Sequence, residues 1–291
     1  MIVSALVVNW NGGELLMECL RSLQLDVSAD LTLEAVLVDN ASTDGSAERA
    51  QQACPWVRLR RNAHNCGFAA GNNVGVADCG GEFLLLLNPD ARLHDGALRH
   101  MVAHLRANPA VGMVGPRLLN PDGSLQISAH PRPTLGREAW RLFHLDRLLP
   151  LSCYGRRFWQ QREAQQVEVL MGACLLLRRS IVQEIGLFDE RFFMYSEEVD
   201  LCTRLRAAGW RIDYLPTAEV THYGGQSTRL VAEAMFLELY RSKVLYFRKH
   251  DGERVAAQYK RLLWLAALTR RLAGGERGRR YRLLMERLGG F

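Results

Sequence analysis

The stretch Leu84–Asp90, L-L-L-L-N-P-D, decides the fold class of this chain of 291 residues. Four consecutive leucines are too few to span a membrane and are enough for a buried strand. Pro89 has no backbone N–H to donate, so the strand ends there and leaves an amide and a carboxylate at its carboxyl end. Ligands bind at that edge of open α/β sheets. Taken alone, the stretch favours an ordinary turn, because Asn, Pro and Asp are turn formers, and the surrounding sequence decides between the two.

Strand and helix patterns alternate through the first part of the chain. Apolar, β-rich runs predict strands, and apolar residues at helical spacing predict helices between them. The predicted strands are Ile2–Val8, Leu33–Val38, Val57–Leu59, Phe83–Leu87 and Val111–Val114, and the predicted helices are Glu14–Leu23, Ser46–Ala53, Gly67–Ala77 and Gly96–Ala107. Strands that alternate with helices in this way form βαβ units. The sequence therefore predicts an α/β fold with a doubly wound, mainly parallel sheet.

The alternation breaks after Pro116, where proline, arginine and aromatic residues fill an irregular stretch up to about Gln166. Long loops of this kind are usually functional or mobile. Order returns with a strand at Val167–Arg178, a helix at Arg179–Ile185, short strands at Arg211–Leu215 and Val220–Tyr223, and basic helical sequence from about Thr228. We expect this last segment to form a C-terminal helical extension.

The composition is that of a globular protein, with 48% hydrophobic and 23% charged residues. No apolar run is long enough for a transmembrane helix. The N-terminus lacks a basic segment and a cleavage site, so it predicts a first strand and not a signal peptide. Seven cysteines without a C-x-x-C pair predict neither a disulfide framework nor a zinc site. We therefore expect a reduced, cytoplasmic protein.

The net charge of +6 is concentrated near the C-terminus. Residues 241–291 contain 14 Lys and Arg against 4 Asp and Glu, whereas residues 1–240 contain 23 against 27. This asymmetry predicts an anionic partner for the tail, either membrane lipid or nucleic acid. A basic amphipathic helix that contains Trp264 favours an anionic membrane surface. The alternative is a solvated face on helices that pack against the domain.

Polar residues also follow the second predicted strand, in D-N-A-S-T-D-G-S at Asp39–Ser46. A carboxylate there suits the base or ribose of a nucleotide, and backbone N–H groups at a helix N-terminus suit its phosphates. The alternative is a turn with Ser46 as the helix N-cap. Residues 9–13 read N-W-N-G-G in place of the G-x-G-x-x-G fingerprint, which argues against a dinucleotide-binding Rossmann enzyme.

The segment Asn65–Asn73, N-C-G-F-A-A-G-N-N, opens a helix with small residues. Glycine and alanine there allow a ligand or another element to approach the backbone closely. Tight helix–sheet packing explains Ala69 and Gly71 equally well. Asn72 is a poor helix former and a better candidate for a ligand contact.

Two further motifs are candidates for catalysis. In Tyr195–Leu201, Y-S-E-E-V-D-L, Ser196 is a good N-cap and three carboxylates fall in the first helical turn. Acids there stabilise the helix dipole in any protein, but one of them can act as a general base if it faces a cleft. In His222–Thr228, H-Y-G-G-Q-S-T, the strand-end histidine is a candidate metal ligand or base, although a lone histidine is more often structural.

These motifs, in this order, resemble the family 2 glycosyltransferases, and most closely their bacterial rhamnosyltransferase-like branch. The matching segments are V-V-N-W-N-G, V-D-N-A-S-T-D-G-S, N-C-G-F-A-A-G-N-N, L-L-N-P-D, G-A-C-L-L-L-R-R, G-L-F-D-E-R-F-F-M-Y-S-E-E-V-D-L-C and H-Y-G-G-Q-S, over roughly residues 2–227. The resemblance implies a GT-A fold, a doubly wound α/β sheet with donor and acceptor sites side by side. It also implies a donor-binding half at residues 1–115, an acceptor and catalytic half at 116–230, and a basic helical tail at 231–291.

The resemblance assigns the donor site residue by residue. Asp39 resembles the acid that binds the nucleotide base or ribose, and the Asn65–Asn73 segment resembles the loop that closes over the nucleotide. The residues predicted to bind the nucleotide sugar are Asn9, Asn11, Asp39, Asn40, Ser42, Asn65, Gly67, Asn72, Asn88 and Asp90.

The segment Asn88-Pro89-Asp90 stands where the family has its D-x-D-type motif. Its first residue is an amide, so only Asp90 supplies an anionic metal ligand there, and His222 resembles the distal ligand of some members. Together they are predicted to hold Mg²⁺ or Mn²⁺. Such a hard cation bridges diphosphate oxygens and neutralises the leaving group.

The pair Glu197-Glu198 occupies the place of the family's E-D pair at a helix start. The resemblance therefore implies that Glu198 is the catalytic base, where Asp is more usual, in an inverting single displacement. Gly172, Glu197 and Asp200 are expected on the acceptor side or in supporting positions.

By resemblance, the donor is a dTDP- or UDP-sugar, with dTDP-L-rhamnose expected. The acceptor is expected to be a saccharide or lipid-linked saccharide of cell-surface polysaccharide synthesis, at the inner face of the bacterial plasma membrane. No nucleic-acid partner is expected. One alternative is a nucleic-acid- or membrane-binding protein that acts through the basic tail, with a non-catalytic α/β domain. Another is a sugar nucleotidyltransferase, which needs a basic, Gly-rich phosphate loop that N-W-N-G-G does not provide.

Overall fold

A ten-stranded sheet organises the computed structural model, which describes residues 2–27, 30–225, 231–272 and 274–291, without the side chain of Arg277. The strands are β1 (Ile2–Asn9), β2 (Thr32–Asp39), β3 (Val57–Arg61), β4 (Phe83–Leu87), β5 (Ala91–Leu93), β6 (Val111–Leu119), β7 (Leu125–Gln126), β8 (Ala129–His130), β9 (Gln165–Gln166), β10 (Val169–Leu170), β11 (Cys174–Arg178) and β12 (Arg211–His222). Their order in the sheet is β3-β2-β1-β4-β11-β6-β12-β5, with β7 on β6 and β9 on β12. Strands β8 and β10 form a separate antiparallel pair.

Helices cover both faces of this sheet. They are α1 (Leu15–Leu23), α2 (Ser46–Ala53), α3 (Gly67–Val76), α4 (Ala97–Ala107), α5 (Leu135–Leu142), α6 (Arg156–Trp159), α7 (Arg179–Ile185), α8 (Glu197–Ala207), α9 (Ala232–Asp251), α10 (Glu253–Arg270) and α11 (Gly275–Arg287). Alternate residues of β1 and β4 enter two separate cores, one shared with α1 and α4 and the other with α3, α8 and the C-terminal helices. The predicted doubly wound α/β fold is confirmed.

The register of the parallel strands brings three polar strand ends to one edge. Strand β1 pairs in parallel with β2 and β4, with Asn9 opposite Asp39 and Val7 opposite Leu87. Strand β4 is buried along its whole length and β2 is buried over its last five residues, which is typical of parallel strands covered on two faces. Strand β11 runs antiparallel to β4 and begins with Cys174 opposite Leu87. The start of β11 therefore lies at the same edge as the ends of β1, β2 and β4.

The strands around Pro116 differ from the prediction. Strand β6 does not end at Val114, as predicted, but continues past Pro116 to Leu119. The two predicted short strands at 211–215 and 220–223 are one strand, β12, which pairs in parallel with β6. Pro116 lies opposite Leu215, and the register of β12 shifts between Leu215 and Glu219. An irregularity of this kind tolerates the missing N–H of proline, so the chain can pass Pro116 without leaving the sheet.

One other predicted element is more broken than expected, one stretch is more ordered, and one predicted helix cap differs. The predicted strand Val167–Arg178 divides into β10 and β11, with Met171–Ala173 between them. The stretch 117–166 contains α5, α6 and short strands, so it is not simply irregular. Helix α2 begins at Ser46 as predicted, but its N-cap is Gly45, and Asp44 accepts hydrogen bonds from both the backbone N–H and the hydroxyl of Ser46. The N-cap role expected for Ser46 was therefore wrong.

The C-terminal helices pack against the sheet domain. Val244, Phe247, Tyr259, Leu263 and Leu284 are buried within the core that also contains α3 and α8. Of the two interpretations of the basic tail, the packed one describes this arrangement, and Trp264 remains 44% exposed. The predicted helix start near Thr228 lies outside the described residues. Within the described ranges, no helix combines the length and the apolar character required to cross a membrane.

Candidate active site

Asn9 links the loops that follow β1 and β2. Its amide nitrogen lies 3.1 Å from Oδ1 of Asp39, 3.0 Å from the Ser42 hydroxyl and 2.9 Å from that of Ser46. Its side-chain amide oxygen, Oδ1, accepts from the N–H of Gly12 at 3.1 Å. Because Asn9 is fully buried and its polar atoms are engaged within the protein, it can act on a donor only by positioning Asp39 and the two loops.

The same two loops are joined at their outer ends. The backbone N–H of Asn11 donates to the Ser42 hydroxyl at 3.0 Å, and the N–H of Thr43 donates to Oδ1 of Asn11 at 2.8 Å. Asn11 has a φ of +52°, a conformation that asparagine tolerates better than most residues. Asp39 is 3% exposed, and its Oδ2 lies 3.9 Å from the guanidinium of Arg61. These contacts hold the two loops together as a polar surface at the carboxyl ends of β1 and β2.

The start of α3 packs beside this polar surface. Asn40 donates to the carbonyl of Gly67 at 2.9 Å, and Asn65 accepts from the N–H of Gly67 at 2.9 Å. Gly67 has a φ of +87°, and a Cβ at this position would lie 2.4 Å from the carbonyl oxygen of Phe193. Gly67 is therefore required both by its conformation and by close packing against the segment before α8. Asn72 is 1% exposed and donates to the carbonyl of Phe68 at 2.9 Å.

Asp90 and His222 meet at the ends of β4 and β12. Nε2 of His222 lies 3.4 Å from Oδ1 of Asp90 and 3.4 Å from the amide nitrogen of Asn88. Nδ1 of His222 lies 2.7 Å from Oε1 of Gln126. Since an amide oxygen only accepts, the contact with Gln126 places a hydrogen on Nδ1, and Nε2 is the ring nitrogen that faces Asp90 and Asn88.

This pair fits a divalent cation. Two acceptor atoms that face each other at 3.4 Å repel unless a proton or a metal ion lies between them. The buried Oδ1 of Asn88 has no hydrogen-bond partner among the described residues, and an amide oxygen is a suitable ligand for a hard cation. The described part of the chain contains no cluster of three His, Cys, Asp or Glu residues suited to a metal. The donor set therefore fits a cation that takes its remaining ligands from diphosphate oxygens and water.

Glu198 lies at the first turn of α8, after two residues with unusual backbone conformations. Tyr195 and Ser196 have φ values of +68° and +67°, which cost energy in non-glycine residues and are enriched at functional sites. Ser196 occupies the N-cap position, but its side chain makes no capping hydrogen bond, so the predicted cap was wrong. The left-handed turn instead directs the start of α8 at Gly172, whose Cβ, if present, would lie 3.5 Å from that of Glu198.

Gly172 and Ala173 link the start of α8, where Glu198 lies, to the end of β4. The N–H of Asn88 donates to the carbonyl of Ala173 at 2.9 Å, so the chain at 172–173 lies between α8 and the end of β4. Oε2 of Glu198 is buried and has no hydrogen-bond partner among the described residues. It is therefore available to accept a proton from a ligand.

The electrostatic environment suits Glu198 to be a general base. Burial raises the pKa of Glu198 to about 7, against backbone N–H groups that lower it. Burial and the neighbouring Glu198 carboxylate together raise the pKa of Glu197 well above its usual range. Glu197 therefore holds its proton more strongly than an ordinary glutamate, while Glu198 exchanges a proton near pH 7, as an efficient base requires.

Asp200 belongs to a structural ion network. Its carboxylate lies 2.8 Å from Nε of Arg204, 2.7 Å from Nζ of Lys249 and 2.7 Å from Nε2 of His250. Burial opposes its ionisation, but the hydrogen bonds from these three groups outweigh burial and hold the pKa of Asp200 below its usual range. Asp200 thus connects α8 to α9 and supports Glu198 indirectly.

A cavity of about 420 Å³ opens beside Glu198. Among its lining residues are three basic side chains from helices outside the predicted site: Arg141, Lys243 and Arg270. Sequence reasoning missed these cations and also Gln126, the partner of His222. Only the surplus of basic residues in the tail pointed to two of the cations, and nothing in the sequence pointed to Gln126.

Comparison with known proteins identifies the family of this chain. The model of the family described as "Glycosyl transferase family 2" matches residues 4–186, which end before α8 and His222. The N-acetylglucosaminyl-diphospho-decaprenol L-rhamnosyltransferase of Mycobacterium tuberculosis is 33% identical over 241 residues, 78% of each chain.

Two solved structures share the fold. The mannosyltransferase PcManGT from Pyrobaculum calidifontis, solved in complex with GDP-Man and Mn²⁺, has a TM-score of 0.61 at 17% identity, over 99% of this chain and 84% of that one. S. aureus TarS 1-349 has a TM-score of 0.55 at 15% identity, over 100% of this chain and 87% of that one. The fold is of the predicted GT-A type, and the alternative of a non-catalytic domain is not favoured. The chain belongs to glycosyltransferase family 2, and it is a glycosyltransferase.

Proposed function

We propose that this protein is an inverting glycosyltransferase that moves L-rhamnose from dTDP-L-rhamnose to a saccharide linked to a lipid by a diphosphate. The observation that carries the proposal is a buried carboxylate oxygen of Glu198 with no hydrogen-bond partner among the described residues, on a glutamate of raised pKa that lines a cavity. The name of the mycobacterial relative supports the sugar and the acceptor class.

In the proposed mechanism, Glu198 accepts the proton of an acceptor hydroxyl. The freed oxygen attacks the anomeric carbon of the donor sugar from the face opposite the diphosphate. A bond from that oxygen to carbon forms as the bond from carbon to the diphosphate oxygen breaks, and the electron pair leaves with the nucleoside diphosphate. A raised pKa makes Glu198 a stronger base than an ordinary carboxylate, which favours this step.

The donor site is proposed at the carboxyl ends of β1, β2 and β4. Asp39 binds the base or ribose, with Asn40 and Ser42 beside it, and Asn9 and Asn11 hold the loops. The Asn65–Asn73 segment borders the nucleotide through Asn65 and Gly67, and the buried Asn72 supports the segment through its hydrogen bond to the carbonyl of Phe68. Asn88, Asp90 and His222 would hold Mg²⁺ or Mn²⁺, which neutralises charge on a leaving diphosphate when bound.

The acceptor side is proposed around Gly172, Glu197 and Glu198. On this scheme residues 1–115 form the donor half, residues 116–230 the catalytic half, and residues 231–291 a basic tail. The basic surface of the tail supports peripheral attachment to an anionic membrane, where a lipid-linked acceptor resides. A cytoplasmic protein at the inner face of the bacterial plasma membrane would meet both substrates.

A donor panel tests the proposal. Purified protein with Mg²⁺ or Mn²⁺ is titrated with dTDP, UDP and GDP sugars, beside Asp39→Ala, Asp90→Ala and the exposed control Asp95→Ala. We expect selective binding of dTDP-L-rhamnose, weakened by the first two substitutions only. Binding of none of these nucleotide sugars would overturn the donor-site assignment.

A further inference from the structure

The cavity beside Glu198 carries positive charge that the described part of the chain does not fully neutralise. Arg141 and Lys243 share one buried carboxylate, Glu138, whose Oε2 lies 2.6 Å from Arg141 and 3.0 Å from Lys243. Glu138 is 3% exposed. Glu138 therefore holds both cations in place, and the other acid that lines the cavity is Glu198.

Arg270 adds a third cation from the end of α10. Its guanidinium donates to the carbonyl of Ala266 at 2.8 Å and to the carbonyl of Leu142, and it lies 3.1 Å from Nε2 of His144. None of these partners is an anion, and no carboxylate in the described residues pairs with Arg270. A guanidinium fixed by carbonyl groups at a partly enclosed site is a ready binding group for phosphate.

We propose that Arg141, Lys243 and Arg270 form a subsite for the diphosphate of the acceptor. The inference rests on the proposed function and deepens it, since the same cavity contains the proposed base Glu198. The leaving diphosphate of the donor is proposed at Asp90 and His222, which are not among the residues that line this cavity, so the cations in the cavity serve a second anion. In an acceptor sugar joined to a diphosphate, the width of one sugar ring separates the reacting hydroxyl from the diphosphate. The cavity of about 420 Å³ lies within the range of ordinary ligand pockets.

Exposed apolar side chains that follow two of the cavity's cations in the sequence, Arg141 and Arg270, indicate where the lipid leaves. We call these side chains the apolar rim. Helix α5, which supplies Glu138 and Arg141, continues into a segment with exposed apolar side chains: Phe143, Leu148, Leu149 and Leu151. Leu272 follows Arg270 by two residues in the sequence and is 81% exposed. Apolar side chains grouped this way beside basic ones are typical of a membrane-facing surface. A polyprenyl chain attached to a diphosphate in the cavity would leave along this rim into the bilayer.

Two acceptor analogues separate a diphosphate subsite from a general effect on the cavity. One is GlcNAc joined through a diphosphate to a short prenyl chain, and the other is an uncharged alkyl glycoside of GlcNAc. Binding of each to the full chain, with dTDP and Mg²⁺ present, is measured by calorimetry for wild type, Arg270→Met and Lys243→Met. Arg254→Met, an exposed arginine on the same helix as Arg270, is the matched control.

We expect each of the two cavity substitutions to weaken the diphosphate ligand about tenfold or more and to leave the neutral glycoside unchanged. The control should bind both like wild type. Equal loss of both ligands, or no loss of the diphosphate ligand, would overturn the subsite. Binding of dTDP reports separately on the proposed function: if wild type does not bind it, the donor assignment fails, whereas intact dTDP binding with no charge dependence of the acceptor rejects only the subsite.

Discussion

Nε2 of His222 and Oδ1 of Asp90 lie 3.4 Å apart, with Nδ1 of the same imidazole held by Gln126. Gln126 thereby fixes the orientation of the imidazole, as in metal sites where a second residue holds the ring of a ligating histidine. Asp90 and His222 are 132 positions apart in the sequence. They lie together because β12 and β5 pair antiparallel, with His222 opposite Ala91.

Gln126→Leu should weaken Mn²⁺ binding in the presence of dTDP by about tenfold to a hundredfold, because the imidazole loses the partner that fixes its tautomer. Calorimetric titration with Mn²⁺ measures the effect. Gln183→Leu, an exposed glutamine on α7, is the control. Unchanged Mn²⁺ affinity in Gln126→Leu would reject His222 as an oriented ligand.

The pH dependence of transfer should report the ionisation of Glu198. Since its pKa is raised to about 7 and the base must be ionised, kcat/KM should rise with pH up to about 7 and level off above it. Glu198→Gln should lower kcat by about 10²–10⁴-fold and abolish this rise. Glu163→Gln, at an exposed position, should retain the wild-type profile. A Glu198→Gln enzyme that keeps the same rise would assign it to another group.

Gly67→Ala should destabilise the fold and weaken donor binding together. The substitution forces a side chain into a φ of +87° and against the carbonyl of Phe193, so we expect a loss of more than about 2 kcal/mol in the free energy of unfolding. Gly209 has a φ of +88° with nothing within 4 Å of a Cβ. Gly209→Ala should therefore show only the conformational cost, about 1–2 kcal/mol. Equal losses in urea unfolding would contradict close packing at Gly67.

Asp200→Asn should cost about 3–5 kcal/mol of stability at pH 7, because it leaves the cations of Arg204 and Lys249 without their buried anion. The lowered pKa of Asp200 means that its contribution is fully present above its usual pKa near 4 and is lost as pH falls through the folded-state value. The stability difference between wild type and Asp200→Asn, measured by urea unfolding, should shrink below about pH 4. A difference that stays constant there would show that the network does not depend on this charge.

Attachment to membranes should depend on the apolar rim. Replacing Leu148, Leu149 and Leu151 by serine should reduce co-sedimentation with vesicles that contain anionic lipid, because these side chains are 55–76% exposed beside basic residues. Leu25→Ser with Val27→Ser, also about half exposed but on another surface, is the control. If the rim variant sediments like wild type, the membrane surface lies elsewhere.

The sequence predicted the parallel half of the sheet and the strand-end residues well because those signals are local. Apolar runs such as Leu84–Leu87 and the polar residues after them lie within a few positions of each other. The continuation of β6 past Pro116 could not be predicted, since it depends on an irregularity in β12 about a hundred positions later.

The cavity beside Glu198 could not be predicted for a related reason. Arg141 and Lys243 meet only because α5 and α9 pack around Glu138, an acid that the chain pattern gives no reason to bury. Likewise, Ser196 suits an N-cap by residue type, but the positive φ values before α8 turn its side chain away from that role.

The most direct test of the account is a single-turnover transfer assay with dTDP-L-rhamnose and a GlcNAc-diphosphate-lipid acceptor, comparing wild type with Glu198→Gln while dTDP binding is monitored in both. We predict a rhamnosylated product of inverted anomeric configuration from wild type, and loss of transfer without loss of dTDP binding in the variant. A product of retained configuration, or a Glu198→Gln enzyme as fast as wild type, would contradict the account.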